Sequence, residues 1–554
     1  MPSASTMPTS ASLPGDILAA LRRRGTAPAM RWKRFGLWQP VSGDDMAARI
    51  DAIAGGLRGL GLAPGDVVGV IGDDCAEWVL ADLGSMQAGC VSAGLDASGN
   101  AADLQRALVE TRAKALFVAG DDHLHKALSV RAQCPMLRTI IVMHPQWDDG
   151  ADTSAVTQLA DLERAADGQA IAVVPQASAA VMMTSGTTGP SRGVIVSHAA
   201  LCERARAAAS ALGLRADDER LSLMPLHHVL ERVVGIYAAL LSGCVINFAE
   251  SRETALANLV ELQPTIVQAP PRLWARLRSG IVLTIAETTP FQKWACRSAF
   301  ARRSGWLDRL VLRPIRNRIG LGRARLCLSA GAPLDDHTAQ WFAALRRPLT
   351  DVYGLAEAGG AVSIGGKMLD GIAADRSETG ELRLRGAHLG GEATLPTGDI
   401  GLTDGAAPVG RITDLLQVGS QRHLPFASEA ALKASPYVAD AFLHLDPADR
   451  VGVSILMESD AVVKYAQDNN IPFTHFLSLC RSDDIKALMA GVVDSVNRAH
   501  PDLRIETFSL IERALGPGHP EVGPALTLRR YLLRSEAATG DGPAAAEALE
   551  TARI

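Results

Sequence analysis

A chain of 554 residues, 47 % of them hydrophobic and 21 % charged, can bury a large core, and its length suggests roughly three to four structural units. The formal net charge of −5 leaves no positive surplus to neutralise a nucleic-acid backbone, which argues against DNA or RNA as the main partner. Eight cysteines (75, 90, 134, 202, 244, 296, 327 and 480) lie far apart without a Cys-x-x-Cys pair, so buried free thiols in a reducing compartment are expected.

Residues 1–14 are rich in Ser, Ala and Pro, lack an apolar h-region, and read as a disordered tail rather than a signal peptide. From there short apolar runs alternate with helical patterns. Strands are predicted at 66–72, 115–119, 139–143, 179–183, 245–249 and 265–269, with helices at 45–60 and 101–111. The run 233–249 is the most membrane-like, but two glycines and its shortness favour a buried helix–strand pair. Such alternation predicts an α/β fold whose parallel-rich sheets are covered by helices, with ligands at the carboxyl ends of the strands. Basic residues cluster at 297–303 and 309–325; they read as a solvated face or as a surface resting on anionic lipid. Gly, Asp and Pro crowd together at 398–414, which suits a linker or hinge. The expected units are a large domain over 15–413, a small mobile α+β domain over 414–535 with strands near 441–445 and 451–457, and a tail over 536–554.

The segment TSGTTGPSRGV at 184–194 leaves the predicted strand 179–183. Its glycines permit close backbone approach, Ser185, Thr187 and Thr188 add hydroxyls, and Arg192 adds a cation, so the loop can wrap phosphate oxygens. It is not a Walker A loop, because no Gly-Lys-Ser/Thr ends it.

With this loop the sequence resembles the adenylate-forming superfamily, and within it the AMP-forming long-chain acyl-CoA synthetases. Further blocks follow in the family's order: MPLHHVLERVVG at 224–235, SAGAPL at 329–334, DVYGLAE at 351–357, TGD at 397–399, GRITD at 410–414 and ALKASPYV at 431–438. The resemblance runs from about residue 28 to 534 and implies a two-step reaction. A carboxylate attacks the α-phosphorus of ATP, and the CoA thiol then displaces AMP after the C-terminal domain rotates. It implies that Thr184, Ser185, Gly186, Thr187, Thr188 and Gly189 with Arg192 hold the β/γ phosphates. Gly331, Ala332 and Pro333 would form the adenine-side turn, and Tyr353 with Gly354 and Ala356 would face the nucleotide. Asp399 and Arg411 would bind the ribose, Glu357 and Thr184 would hold Mg²⁺, His228 would lie at the substrate pocket, and Asp414 would be the pivot.

The departures matter as much. The family's Pro-Lys in the phosphate loop is Ser191-Arg192, the Thr of Tyr-Gly-x-Thr-Glu is Ala356, and Gly-Gly after the hinge is Gly419-Ser420. The stretch 385–397 is short and lacks aromatics. GPALTLRR at 523–530 puts Thr527 where the resemblance implies a catalytic lysine. Arg529 would share a face with Thr527 in an extended strand and is a candidate stand-in. Two readings of different class therefore stand beside a working ligase. One is a degenerate member that binds a ligand or performs only the thioester step, and the other is an adenylating partner that loads a separate carrier protein. Expected partners are a carboxylic acid, probed first as a long-chain or apolar one, with ATP and CoA, in a cytoplasmic setting with possible peripheral membrane contact.

Overall fold

The computed structural model describes residues 12–143, 156–166, 172–184, 192–302, 304–389, 391–401, 408–446, 448–512, 521 and 530. Two large sheets form its centre. The first has nine strands: Pro28–Arg34, Glu219–Leu221, Val245–Phe248, Ile266–Ala269, Leu326–Ala330 and Leu349–Leu355 run parallel, while Leu37–Ser42, Gly360–Ile364 and Lys367–Met368 add antiparallel edges. The second has seven strands and is parallel except for the hairpin Ser178–Met183/Gly193–Ser197. Strand interiors such as Val67–Ile71 and Ala115–Val118 are buried on both faces, the reason they appear in the sequence as unbroken apolar runs. The α/β class is as expected.

Local signals set several boundaries. Ala101–Thr111 begins at a capping box in which Asn100 and Asp103 satisfy each other's backbone N–H groups. Ser42 caps the helix Gly43–Gly59, two residues earlier than its apolar periodicity suggests. The helix Leu13–Arg24 takes up residues 12–14, which composition alone assigns to the tail. Ser12 caps it, Pro14 falls in the first turn where no N–H is missed, and Leu13 is fully buried. The membrane-like run resolves into the helical segments Glu231–Tyr237 and Ala238–Leu241 followed by the strand Val245–Phe248. No described helix is long and apolar enough to cross a membrane. All eight cysteines are free, six of them buried.

The linker half of the expectation at 398–414 needs correction over the described residues. Gly391–Gly401 and Pro408–Arg411 are strands of a four-stranded antiparallel sheet with Ala373–Arg376 and Glu381–Gly386. Gly398 adopts φ +71° and lets the longer strand kink without leaving the sheet. Beyond it, residues from Leu416 to Ile505 enclose a hydrophobic core of their own around Leu443, Ile455 and Met489, under a three-stranded sheet.

Buried charge joins the two large sheets. Arg232 is fully buried and ion-paired with Asp82, and it donates to Tyr237 Oη (2.7 Å) and to Ser92 O (3.1 Å) and Oγ (3.0 Å). Beside it Glu231 pairs with Arg220 and accepts from Ser222 Oγ (2.9 Å) and Gln268 Nε2 (3.0 Å). Removing one partner strands the other charge without water. Asp82→Ala is expected to cost about 3–5 kcal/mol, read as a lower urea midpoint, and the double variant Asp82→Ala/Arg232→Met should recover part of the loss.

Candidate active site

Three carboxyl-end features of the nine-stranded sheet meet in one cleft. The strand Leu326–Ala330 ends in the turn Gly331, Ala332, Pro333, and Ala330 is in register with Val352 on the neighbouring parallel strand. That register sets the turn beside Tyr353 and Gly354, and all five residues line the cleft. Gly354 allows the following antiparallel strand to come close, because a Cβ there would lie 2.3 Å from the carbonyl oxygen of Gly360. The helix Pro271–Ala286 starts after the strand Ile266–Ala269 and contributes Arg272 from its first turn.

The four-stranded sheet supplies the polar centre. Asp399 and Arg411 stand directly opposite each other across antiparallel strands, and their side chains form an ion pair at 3.2 Å. Tyr353 Oη donates to Asp399 Oδ2 at 2.8 Å. Thr397 Oγ1 accepts from the Asp399 N–H (3.0 Å) and donates to Leu382 O (2.7 Å), which fixes the turn below the carboxylate. Burial raises the pKa of Asp399, opposed by Arg411 and the Tyr353 hydroxyl. Burial, with Asp399 adding to it, raises that of Tyr353. A buried acceptor beside a fixed cation is suited to paired hydroxyls of a ligand.

The smaller C-terminal part closes the cleft with Phe426, Glu429, Lys433 and Arg530. Arg530 pairs with Glu429 (2.7 Å) and with Asp414 (3.4 Å); burial alone would lower its pKa, but the two carboxylates raise it and keep the guanidinium charged. Asp414 lines the cleft at the end of the turn Ile412–Asp414. Buried Arg278, on the pocket helix, donates to Ala434 O (3.0 Å) and Lys433 O (3.5 Å) at the end of the helix Phe426–Lys433. The hairpin Leu416–Val418/Gln421–His423 turns at Gly419-Ser420, with Gly419 at φ +60°.

The other expected residues that are described do not line this cleft. Thr184 and Arg192 close the neck of the glycine-rich loop: Arg192 N donates to Thr184 Oγ1 and Thr184 N to Arg192 O, both at 2.9 Å. Ser185, Gly186, Thr187, Thr188 and Gly189, and at the other end Thr527 and Arg529, lie outside the described residues. Ala356 is buried and Glu357 exposed on the turn Ala356–Ala358, close enough to act electrostatically on Asp399. His228 is not among the residues lining the cleft. Burial, helped by His227, pushes it down to about 4, so it is neutral at physiological pH. Its Nδ1 accepts from Leu230 N (3.3 Å), and Leu230 does line the cleft. Among the described residues no group of His, Cys, Asp and Glu forms a ready-made metal cluster.

Sequence reasoning missed Arg272, Glu429, Lys433 and Arg530 as cleft residues. Arg272 had a signal, since it follows Pro270-Pro271 at the end of a predicted strand; the other three are brought in only by packing of the C-terminal part. Half-buried Asp74 was also missed. It accepts from Leu226 N (3.0 Å) and Ser222 Oγ (3.2 Å), and burial, with Glu231 adding to it, pushes its carboxyl up to about 7. A carboxyl whose folded pKa lies above its unfolded value leaves stability full at low pH and lowers it as pH rises from about 4 to 7. Asp74→Asn is therefore expected to raise stability at pH 8.5, on the order of 1–2 kcal/mol with allowance for partial exposure, and to change little at pH 4. Thermal melts at the two pH values check it.

The model of the family described as AMP-binding enzyme matches residues 18–386, well over half of the chain. The chain belongs to this family. The Gly331 turn, Tyr353 and the Glu357 turn all fall within the matched AMP-binding segment, while Asp399 and Arg411 lie just past it. A human long-chain-fatty-acid–CoA ligase, ACSBG2, is 23 % identical over 612 aligned positions, spanning 95 % of this chain and 91 % of its own. A long-chain-fatty-acid–CoA ligase of Mycobacterium bovis is 26 % identical over 489, covering 78 % and 80 %. Among solved structures, the adenylation domain of a carboxylate reductase from Mycobacterium chelonae superposes with a TM-score of 0.78 at 18 % identity, covering 96 % of this chain and 90 % of its own. A benzoate CoA ligase from Burkholderia xenovorans does so with 0.69 at 18 %, covering 94 % and 99 %. These superpositions bear on the fold of the AMP-binding chain.

Proposed function

We propose that this AMP-binding protein is an acid–thiol ligase that activates a long-chain or apolar carboxylic acid on ATP and transfers the acyl group to CoA. The observation that carries the reading is the constellation of buried Asp399 and Tyr353 with half-exposed Arg411 beside the Gly331 turn, in a cleft closed by the C-terminal part. The names of the sequence relatives support the choice of acid and thiol. In the first step a carboxylate oxygen bonds to the α-phosphorus and pyrophosphate leaves. Attack of an anion on a polyanion requires cations to gather and neutralise charge. Asp399 accepts the ribose hydroxyls with Arg411 bracing it, Tyr353 stacks on the base held by Gly331, Ala332 and Pro333, and Arg192 with the loop 184–189 holds the β/γ phosphates. Arg272 and Lys433 add positive charge at the cleft wall. Glu357 is exposed and without an ion pair among the described residues, which fits a Mg²⁺ ligand; with Thr184 it would hold the ion, which supplies charge neutralisation on the phosphates. In the second step the C-terminal part turns about Asp414 and the CoA thiolate displaces AMP.

A second reading rests on Thr527 and Ala356, which remove a cation and a hydroxyl from the adenylating set. In that case the chain binds ligand as a regulatory protein, or performs the thioester step alone. Incubation with Mg²⁺-ATP, CoA and a pool of short- to long-chain acids, followed by mass spectrometry, separates the readings. Acyl-CoA together with AMP supports the ligase and names its acid. AMP and adenylate without acyl-CoA point to a carrier protein as acceptor, and thioester formed only from supplied acyl-adenylate points to the half-reaction. A protein that yields none of these products is a binding protein. The ligase reading places the chain in the cytoplasm, meeting its acid at a membrane surface.

A further inference from the structure

The clearest feature that the active-site cleft does not account for lies on the helical segments that follow the pocket helix. Between residues 288 and 318 the sequence holds eight Lys or Arg and one acid, Asp308. On the helix Pro290–Ala301, Phe291, Trp294 and Arg297 are exposed at spacings of three and form one stripe. On the segments spanning 305–318, Trp306, Arg309, Leu310 and Arg313 are exposed at i, i+3, i+4 and i+7 and form another. The apolar members are conspicuously bare: Phe291 is 72 %, Trp294 56 %, Trp306 62 % and Leu310 67 % accessible. Phe291 and Trp294 touch each other with ring centroids 5.8 Å apart, not the core. The opposite side of the hairpin is anchored, since Ala299, Leu307 and Leu312 are buried in the domain core.

Among the described residues the arginines of the two stripes make no ion pair. Asp308 is taken by Arg316 (2.7 Å) and Arg346 (3.2 Å), whereas Arg297, Arg302, Arg309 and Arg313 make no ion pair among the described residues. The fold also divides the basic run 309–325, because Arg323 and Arg325 are paired with Glu219 and Asp218 and belong to the structure rather than to the patch.

We infer that this hairpin is a docking surface for an anionic phospholipid bilayer. Trp and Phe favour the headgroup level, Leu310 reaches the acyl boundary, and the free arginines attract anionic headgroups. A protein partner would satisfy the apolar residues as well, but three arginines on the stripes with no ion pair among the described residues, interleaved with aromatics, match a polyanionic, laterally adaptable surface. The placement suits the cleft: Pro271–Ala286 lines the cleft at its first turn and leads at its other end, about 24 Å away, into the hairpin. An acid that partitions into lipid would then be taken up from the same side on which the protein rests. The inference goes beyond the ligase reading, because vesicle binding requires no turnover.

The test is co-sedimentation of the full chain with phosphatidylcholine vesicles, with and without phosphatidylglycerol. Binding only to the anionic vesicles, weakened several-fold between about 0.05 and 0.5 M salt, is expected. Each neutralised arginine near the surface is expected to lower partitioning about fivefold, so Arg297→Ala/Arg309→Ala should lose at least ~10-fold. Phe291→Ala/Trp294→Ala should lose a similar factor, with an unchanged melting temperature because the side chains are exposed. Arg498→Glu, on the exposed side of Asp483–Ala499, should bind like the parent. Brominated lipids should quench tryptophan emission in the parent and less in Trp294→Phe/Trp306→Phe. Absence of binding, equal binding to neutral vesicles, or binding unaffected by the hairpin variants overturns the inference. So does concentration-dependent self-association abolished by Phe291→Ala/Trp294→Ala, which would make the patch a contact between copies.

Discussion

Asp399→Ala is expected to weaken ATP binding about 10²-fold or more while leaving a folded protein. Hydrogen bonds to a charged acceptor contribute about 1.5–3 kcal/mol each, and two ribose hydroxyls share this carboxylate under the proposed reading. The variant also leaves the Tyr353 hydroxyl without its acceptor and Arg411 without its ion pair, the latter half-exposed where water can reach it. The expected stability loss is therefore modest, about 1–3 kcal/mol. Asp399→Asn is the sharper probe. It preserves shape and an acceptor for Tyr353, but loses the charge that opposes Arg411 and the second strong acceptor. Calorimetric titration with ATP and a thermal melt separate the two contributions. Unchanged affinity in both variants, with intact folds, would remove the ribose assignment and with it the orientation of nucleotide in the cleft.

Thr527→Lys is expected to raise ATP–pyrophosphate exchange by about 10²–10³, the cost usually attached to losing one preorganised donor at a polyanionic transition state. The cleft already contains Arg272, Arg411, Lys433 and Arg530, yet three of these are ion-paired: Arg411 with Asp399, Lys433 with Asp440, and Arg530 with Glu429 and Asp414. If exchange by the parent chain is already fast and the substitution changes nothing, another cation fills the role. Arg529→Ala and Lys433→Ala then identify it by loss of exchange. If the parent is silent and the variant active, adenylation was lost at that one position. Thioester formation from a supplied acyl-adenylate should be equal in both, because the step does not draw on the lysine.

Much of the fold was readable because its signals are local. Ala101–Thr111 and the strand Val451–Met457 fall where periodicity puts them, one by an amphipathic stripe with its capping box, the other as an unbroken buried run. The strand that leads into the glycine-rich loop was readable for the same reason, and Tyr353, Asp399 and Arg411 lie in the ordered blocks that the resemblance singles out. The stretch 398–414 misled because Gly, Asp and Pro are the composition of a linker and also of a kinked, edge-paired strand, and only a partner strand distinguishes them.

What remained hidden depends on distance in the chain. A charge in a sequence reads as surface, so the buried pairs Arg232–Asp82 and Arg220–Glu231 gave no warning; their partners lie on other elements and are needed only because folding removes water from both. The ion pair of Asp399 with Arg411 follows from antiparallel register, which residue types do not specify. Glu429, Lys433 and Arg530 join the cleft only because the C-terminal part packs over it. Residue types and local periodicity determined the α/β class, the strand ends that carry the cleft and the basic character of 297–318. Tertiary structure decided which of those arginines are tied to carboxylates and which stand free beside exposed aromatics, because desolvation and pairing are properties of neighbours that the order of residues does not contain.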